Sequence, residues 1–167
     1  AITRTRAGNM RQVMIVGLDD VTLTGGPGRL LFGQLADLRR NDAVIIDTVA
    51  NKELFAWGVE PLDTMEINRQ RVEVVGLCRS SPQFSGMCLV YTRRSIAAKL
   101  TAEPNYAASW MLVDVLPGHD PETVSASINA ALPQLHARPR DRLSRDVITW
   151  FRVNSGITEV LGLAIIL

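Results

Sequence analysis

The 167-residue sequence predicts an α+β fold, and three stretches carry that prediction. In "DTMEINRQRVEVVGLC" (Asp63–Cys78), Met65 and Ile67 alternate with polar neighbours, "NRQ" supplies a turn, and Val72, Val74 and Val75 continue beyond it. Two such runs across a short polar turn read as a β-hairpin. "DAVIIDTVANKELFA" passes from a short buried strand, Ala43 to Ile46, into a short helix with Asp47 or Thr48 as its N-cap. "ASWMLVDVLPGHDPETVSASINAALPQLHA" reads as a strand, Trp110 to Leu116, a Pro-Gly turn and an amphipathic helix from about Pro121 to Leu132.

The remaining elements follow in order. Gln12 to Leu18 is a strand stopped by Asp19 and Asp20, and "LTGGPG" is a loop because its glycines and proline break any regular period. "GRLLFGQLADLRR" predicts a short helix with Leu30, Leu31, Leu35 and Leu38 on one side. After the hairpin and the loop "RSSPQFSG" come a strand, "MCLVYT", and the helix-forming "RRSIAAKL". Asp120 suits the N-cap of the 121–132 helix, Pro121 its first position, and Val124, Ile128 and Ala131 line one face. With a return strand near His136, this makes a βαβ-like or split α+β unit. Ser144 to Val153 has helical spacing, with Val147, Ile148 and Phe151 recurring beside Trp150.

A chain of this length buries roughly 70% of its unfolded surface, enough to fold without metal or disulfide. A formal net charge of +1 argues against a nucleic-acid partner, which needs a basic stripe to neutralise phosphates. The one basic concentration, Arg138, Arg140, Arg142 and Arg145, is interrupted by Asp141 and Asp146 and reads as a solvated face. Cys78 and Cys88 are too far apart for a CxxC pair and lie in apolar strand-like stretches, the pattern of two buried thiols. Whether they form a disulfide is open at this level.

No motif assigns chemistry. "GGPG" matches neither GxGxxG nor GxxxxGK[ST]. Asp19 with Asp20, and His119 with Asp120, are adjacent residues whose side chains diverge, so turn and cap roles are favoured over a metal or acid–base pair. His119 and His136 lack zinc-ligand spacing, no serine sits in GxSxG, and neither cysteine has an evident base. The sequence therefore nominates no catalytic, cofactor-binding or metal-binding residue, and an enzyme is the weaker reading.

The last stretch, "GITEVLGLAIIL" (Gly156 to Leu167), ends in an uncharged apolar run. A spanning helix needs about 20 such residues, so the run is either the start of a span or a buried terminal element. Trp150 and Phe151 beside Arg152, just ahead of it, have the composition of an interfacial anchor.

Taken in order, "RQVMIVGLDDVTL", "LADLRRNDAVIIDTVANKELF", "DTMEINRQRVEVVGLC", "SSPQFSGMCLVYTRRSIAAKL" and "WFRVNSGITEVLGLAIIL" resemble the FtsX/MacB-like superfamily of ABC-transporter permeases, closest to the DevC-like branch. The resemblance runs from about residue 11 to the end and rests on several weak motifs, none catalytic. Where the family has Gly-Asp-Thr ahead of the hairpin, this chain has Leu62-Asp63-Thr64.

The resemblance implies a two-lobed extracytoplasmic domain over residues 1–154, with a β-rich inserted lobe at about 62–92. Residues 155–167 would be the start of a transmembrane helix. It implies a bacterial inner-membrane permease whose extracytoplasmic part couples ATP-driven helix motion to a periplasmic adaptor or an exported substrate. It also implies a separate ABC ATPase subunit, a homodimer, and no cofactor. The rival expectations are a non-transporting permease that activates an envelope hydrolase, and a stand-alone soluble domain.

Overall fold

The computed structural model describes residues 1–5, 7–80, 87–101 and 108–154. The expected membrane-helix start at 155–167 lies outside the described residues. By its internal contacts the chain divides into two units, Ala1–Leu112 and Val113 onward.

The first unit holds seven strands: β1 Ile2–Arg4, β2 Met10–Leu18, β3 Leu30–Phe32, β4 Ala43–Asp47, β5 Thr64–Ile67, β6 Gln70–Cys78 and β7 Cys88–Arg93. Two helices, α1 Thr48–Phe55 and α2 Arg94–Thr101, and a short 3-10 turn at Leu35–Arg39 complete it. The strand order is β3-β6-β4-β7-β2-β1-β5, and β5 also pairs with β6, so six strands close into a ring with β3 appended. Closure removes the exposed edges that an open sheet must protect. The sheet is mixed: β2 runs parallel to β7 and β4 to β6, while β4 and β7 are antiparallel.

Alternation along the strands sorts the side chains onto two faces. On one, Val13, Val44, Ile46, Val72, Val74 and Val90 pack with Ala50, Leu54 and Phe55 of α1 and Ile96 and Leu100 of α2. On the other, Leu18, Ala43, Ile45, Val75, Leu89 and Tyr91 pack with Leu23 and Leu38. Gly17 lets α2 approach β2 closely, since a Cβ there would stand 2.9 Å from that of Ala97.

Most sequence expectations for this unit hold. The hairpin is β5–β6 in the register Met65↔Val72 and Ile67↔Gln70. Its two-residue turn is Asn68-Arg69, with φ of 47° and 67°, the doubly left-handed geometry that matches strand twist. Asp47 caps α1, accepting the Ala50 amide at 2.7 Å.

The structure corrects three expectations. Residues 62–92 do not form a separate β-rich lobe: β6 lies between β3 and β4, and β7 between β4 and β2, because both carry apolar residues on two faces and need cover on each. Leu30–Phe32 is an edge strand against β6 rather than the start of a helix, and Gly33, at φ 76°, separates it from the 3-10 turn. The βαβ-like crossover is β4–α1–β6, with β5 in the connection, rather than the segment around α3.

In the second unit the helices are α3 Pro121–Ala131 and α4 Arg140–Asn154. Asp120 caps α3 with Pro121 in the first turn, as the sequence predicts. The expected strands at Trp110–Leu116 and near His136 are absent. Both stretches are without ladder partners among the described residues, and a strand exists only when paired.

Candidate functional site

Of the polar residues weighed for chemistry, Asp19, Asp20 and Asp120 take local structural roles. The Asp19 carboxylate accepts the amides of Val21 and Thr22 at 3.1 and 2.8 Å and the Thr22 hydroxyl at 2.9 Å. The Thr22 hydrogen bonds hold its pKa below the ordinary carboxylate value. Asp20 accepts from the backbone and hydroxyl of Ser95 at the start of α2. Asp120 accepts the amide and hydroxyl of Thr123, both at 2.9 Å, and its pKa is lowered for the same reason. The His119 amide closes a turn on the Leu116 carbonyl. None of these pairs converges on a common point.

A buried polar node is one the sequence showed only as a helix cap. Asp47 is 1% exposed. One carboxylate oxygen accepts the amides of Ala50 at 2.7 Å and Leu89 at 3.2 Å, and the other accepts the Ser80 hydroxyl at 2.8 Å. It thereby ties the end of β4 to the first turn of α1, the start of β7 and the segment after β6. The Ala50 contact was legible from local spacing; Leu89 and Ser80 meet Asp47 only through strand order.

Cys78 and Cys88 lie close to this node but cannot join. They sit on β6 and β7, with β4 between, and belong to opposite faces of the sheet. Side chains on opposite faces point apart, which a disulfide does not tolerate. Burial, with the Asp47 charge added, pushes the Cys78 thiol up to about 12 and the Cys88 thiol up to about 11. Neither is a thiolate near neutral pH, so neither is set up as a nucleophile.

A cleft of about 210 Å³ is lined by Arg4, Thr5, Leu54, Phe55, Thr64, Met65 and Glu66. Among the described residues its lining holds no serine, cysteine or histidine. Among the described residues no group of three or more His, Cys, Asp or Glu side chains could hold a metal ion.

Exposed apolar side chains occur in both units, Met10, Val21 and Trp57 in the first among them. Trp110, Met111, Leu112, Val113 and Leu116 are 58–78% exposed along an extended stretch. Arg138 pairs with Asp146 at 3.4 Å and Arg142 with Glu122 at 3.7 Å, joining α4 to α3 and to its own approach. Among the described residues no helix is long and apolar enough to cross a membrane.

No family model matches the sequence, and no curated protein matches it either. Solved structures do. The periplasmic region of MacB from Actinobacillus actinomycetemcomitans superposes with a TM-score of 0.60 over 87% of this chain and 70% of its own, at 17% identity. The fold is that of the MacB periplasmic region. The extracellular domain of YknZ, a noncanonic ABC-type transporter from Gram-positive bacteria, aligns over 60% of this chain and 54% of its own, at 15% identity and a TM-score of 0.48. At such identities residue roles do not transfer, and what the MacB superposition shows is the fold.

Proposed function

We propose that this chain is the extracytoplasmic domain of an ABC-transporter permease, acting mechanically and not as an enzyme. The observation that carries the reading is the MacB-like fold over 87% of the chain. The sequence resemblance, read independently of that superposition, points the same way. In this reading residues 1–154 face the periplasm of a bacterial inner membrane and 155–167 begin a transmembrane helix. ATP hydrolysis resides in a separate ABC ATPase subunit acting on a permease homodimer. Motion of the membrane helices enters through α4 and is passed to a periplasmic adaptor or an exported substrate.

Two features support a mechanical role. The ring of strands is closed, suited to moving as one body, and its polar clusters are engaged as caps and turns rather than aimed at a pocket. The test is fractionation of the natural full-length product with protease added to intact spheroplasts. Retention through alkaline carbonate, with cleavage of this region from outside, is the expected result, and adaptor recovery in detergent pull-downs then tests the coupling. Recovery in the soluble cytoplasmic fraction would overturn the reading. Recovery of an envelope hydrolase in place of an adaptor would replace transport with regulation.

A further inference from the structure

The ring of the first unit is sealed at one seam by a single residue pair. Strand β1 pairs with β5 at Thr3↔Ile67 alone, whereas β5 pairs with β6 along its whole length, from Thr64↔Glu73 to Ile67↔Gln70. The contacts that hold the seam gather at one end of it. There the Asn68 amide donates to the Ile2 carbonyl at 2.8 Å, the Ile2 amide to the Asn68 side-chain oxygen at 2.9 Å, and the Thr3 hydroxyl to the Glu66 carbonyl at 2.7 Å. At the other end the strands part and the cleft opens, with Arg4 and Thr5 on one wall and Thr64 and Glu66 on the other. Leu54, Phe55 and Met65, all buried, complete its lining from the core side.

Backbone direction makes this cleft a strand edge. In an antiparallel ladder, alternate residues turn their amides and carbonyls towards the same neighbour. The Val74 amide donates to the Asp63 carbonyl at 2.7 Å, so Asp63, Met65 and Ile67 address β6. Thr64 and Glu66 address the opposite side, where β1 has no residue in register with either among the described residues. An edge of this kind accepts a further extended chain, main chain to main chain. The size of the cleft points to the same occupant. Its volume of about 210 Å³ is below the roughly 300–1,000 Å³ of pockets that enclose a small molecule, but it suits a side chain delivered by a strand. A helix would leave the edge unused, because its own backbone groups are bonded internally. The rim carries both signs of charge, Arg4 on one wall and Glu66 on the other, both exposed.

We infer that this cleft binds an extended polypeptide segment of a partner protein, which enters between β1 and β5 and pairs with the Thr64–Glu66 edge. One apolar residue of the segment points in towards Leu54, Phe55 and Met65. Its outward-pointing neighbours meet Arg4 with a carboxylate and Glu66 with a cation. The inference goes beyond the permease reading and does not depend on it, since every residue it uses lies in the first unit.

The probe is a set of capped, fluorescein-labelled hexapeptides, threonine-glutamate-X-lysine-threonine-threonine, with leucine, valine or phenylalanine as X. Each is titrated against the purified full-length protein and followed by fluorescence anisotropy. At least one should bind saturably, tighter than about 1 mM. N-methylation of one alternate set of its amides should weaken binding about tenfold or more, the effect of losing main-chain hydrogen bonds, and methylation of the other set should change it little. Thr64→Pro should cost about tenfold as well. Proline is tolerated at the first residue of a strand, and here it removes only an amide that faces the cleft, so the β5–β6 ladder and the urea midpoint should hold. Arg4→Glu changes an exposed side chain and should invert the preference between the glutamate peptides and counterparts carrying lysine at that position. Absence of saturable binding by all three peptides would overturn the inference. Equal affinity of the two methylated forms would overturn it by showing that the main chain is not read. Unchanged affinity in both protein variants would overturn it by placing the peptide elsewhere on the molecule.

Discussion

The segment Ala1–Leu112 and the segment from Val113 onward are built on opposite terms. In the first, alternating strands close a ring and bury side chains on both faces, with Val44, Ile45 and Ile46 at 0% exposure. In the second, α3 and α4 have caps, ion pairs and good helical spacing, yet no described side chain from Val113 to Val153 is buried. The local code for a helix can thus be complete where burial is missing. An isolated helix the length of α3 is marginal in water, so the stability of this segment depends on its surroundings in the assembled protein. That of the first depends on its own core.

The largest effect that tests this contrast is a pair of isoleucines. Ile46 lies on β4, which has strands on both sides and little freedom to collapse around a gap. Ile46→Ala should cost about 3–4 kcal/mol of unfolding free energy, the usual range for a fully buried aliphatic cut to alanine. Ile148→Ala on α4 should stay within about 0.5 kcal/mol. Urea unfolding of both variants checks this, and similar losses at the two sites would erase the contrast.

The aspartate caps give the next comparison. Asp47→Ala removes the α1 cap and leaves the Leu89 amide and Ser80 hydroxyl without their partner, a loss of about 2–3 kcal/mol. Asp120→Ala leaves global unfolding nearly unchanged and lowers only the helical signal of α3. The same cap predicts a pH response. The carboxyl of Asp120 titrates below its ordinary 3.8 when folded, so its contribution is complete above that value and is lost as pH falls through the lower, folded one. The protection factors of α3 amides, exchange rates corrected for their intrinsic pH dependence, should therefore fall on acidification before those of β4 do.

Thiol chemistry reports on the first segment alone. With Cys78 and Cys88 raised to about 12 and about 11, the neutral-thiol native state gains stability that is complete below the ordinary value of 9.0. That stability is lost as pH rises through the folded values. Alkylation at pH 8 should then follow the denaturant transition of the Ile46→Ala series, and oxidant should give no intrachain disulfide. Fast labelling of native protein would show that the ring opens locally.

What the sequence disclosed, and what it hid, divides along the same line. Elements specified within a few residues were readable: the Asp120-Pro121 start of α3, the Asp47 cap of α1, the alternation of Met65 and Ile67 against Val72 and Val74. Partners distant in sequence were not. Nothing local says that Leu30–Phe32 pairs with β6, that residues 62–92 enter the central sheet, or that Ser80 and Leu89 meet at Asp47. Trp110–Leu116 failed the other way, as a strand pattern with no strand beside it. The candidate site followed suit: the cap and turn roles of Asp19, Asp20 and Asp120 were legible, whereas the Ser80 and Leu89 contacts of Asp47 were not.

The smallest effect concerns the one residue at which the chain departs from its family resemblance. Leu62 stands where the pattern has glycine, and its φ is 70°. The position cannot relax, because its amide donates to the Val74 carbonyl at 2.8 Å and the next carbonyl, Asp63, accepts the Val74 amide at 2.7 Å. A leucine held left-handed costs about 1–2 kcal/mol, and its side chain, 52% exposed, returns little of that by burial. Glycine relieves the strain but adds about 0.5–1 kcal/mol of unfolded-state entropy. Leu62→Gly should therefore stabilise the first segment by about 0.5–1 kcal/mol, read as a rise in the denaturation midpoint at unchanged slope. A fall would mean that the leucine side chain is held by contacts outside the described residues, making this turn an interface rather than a strained link.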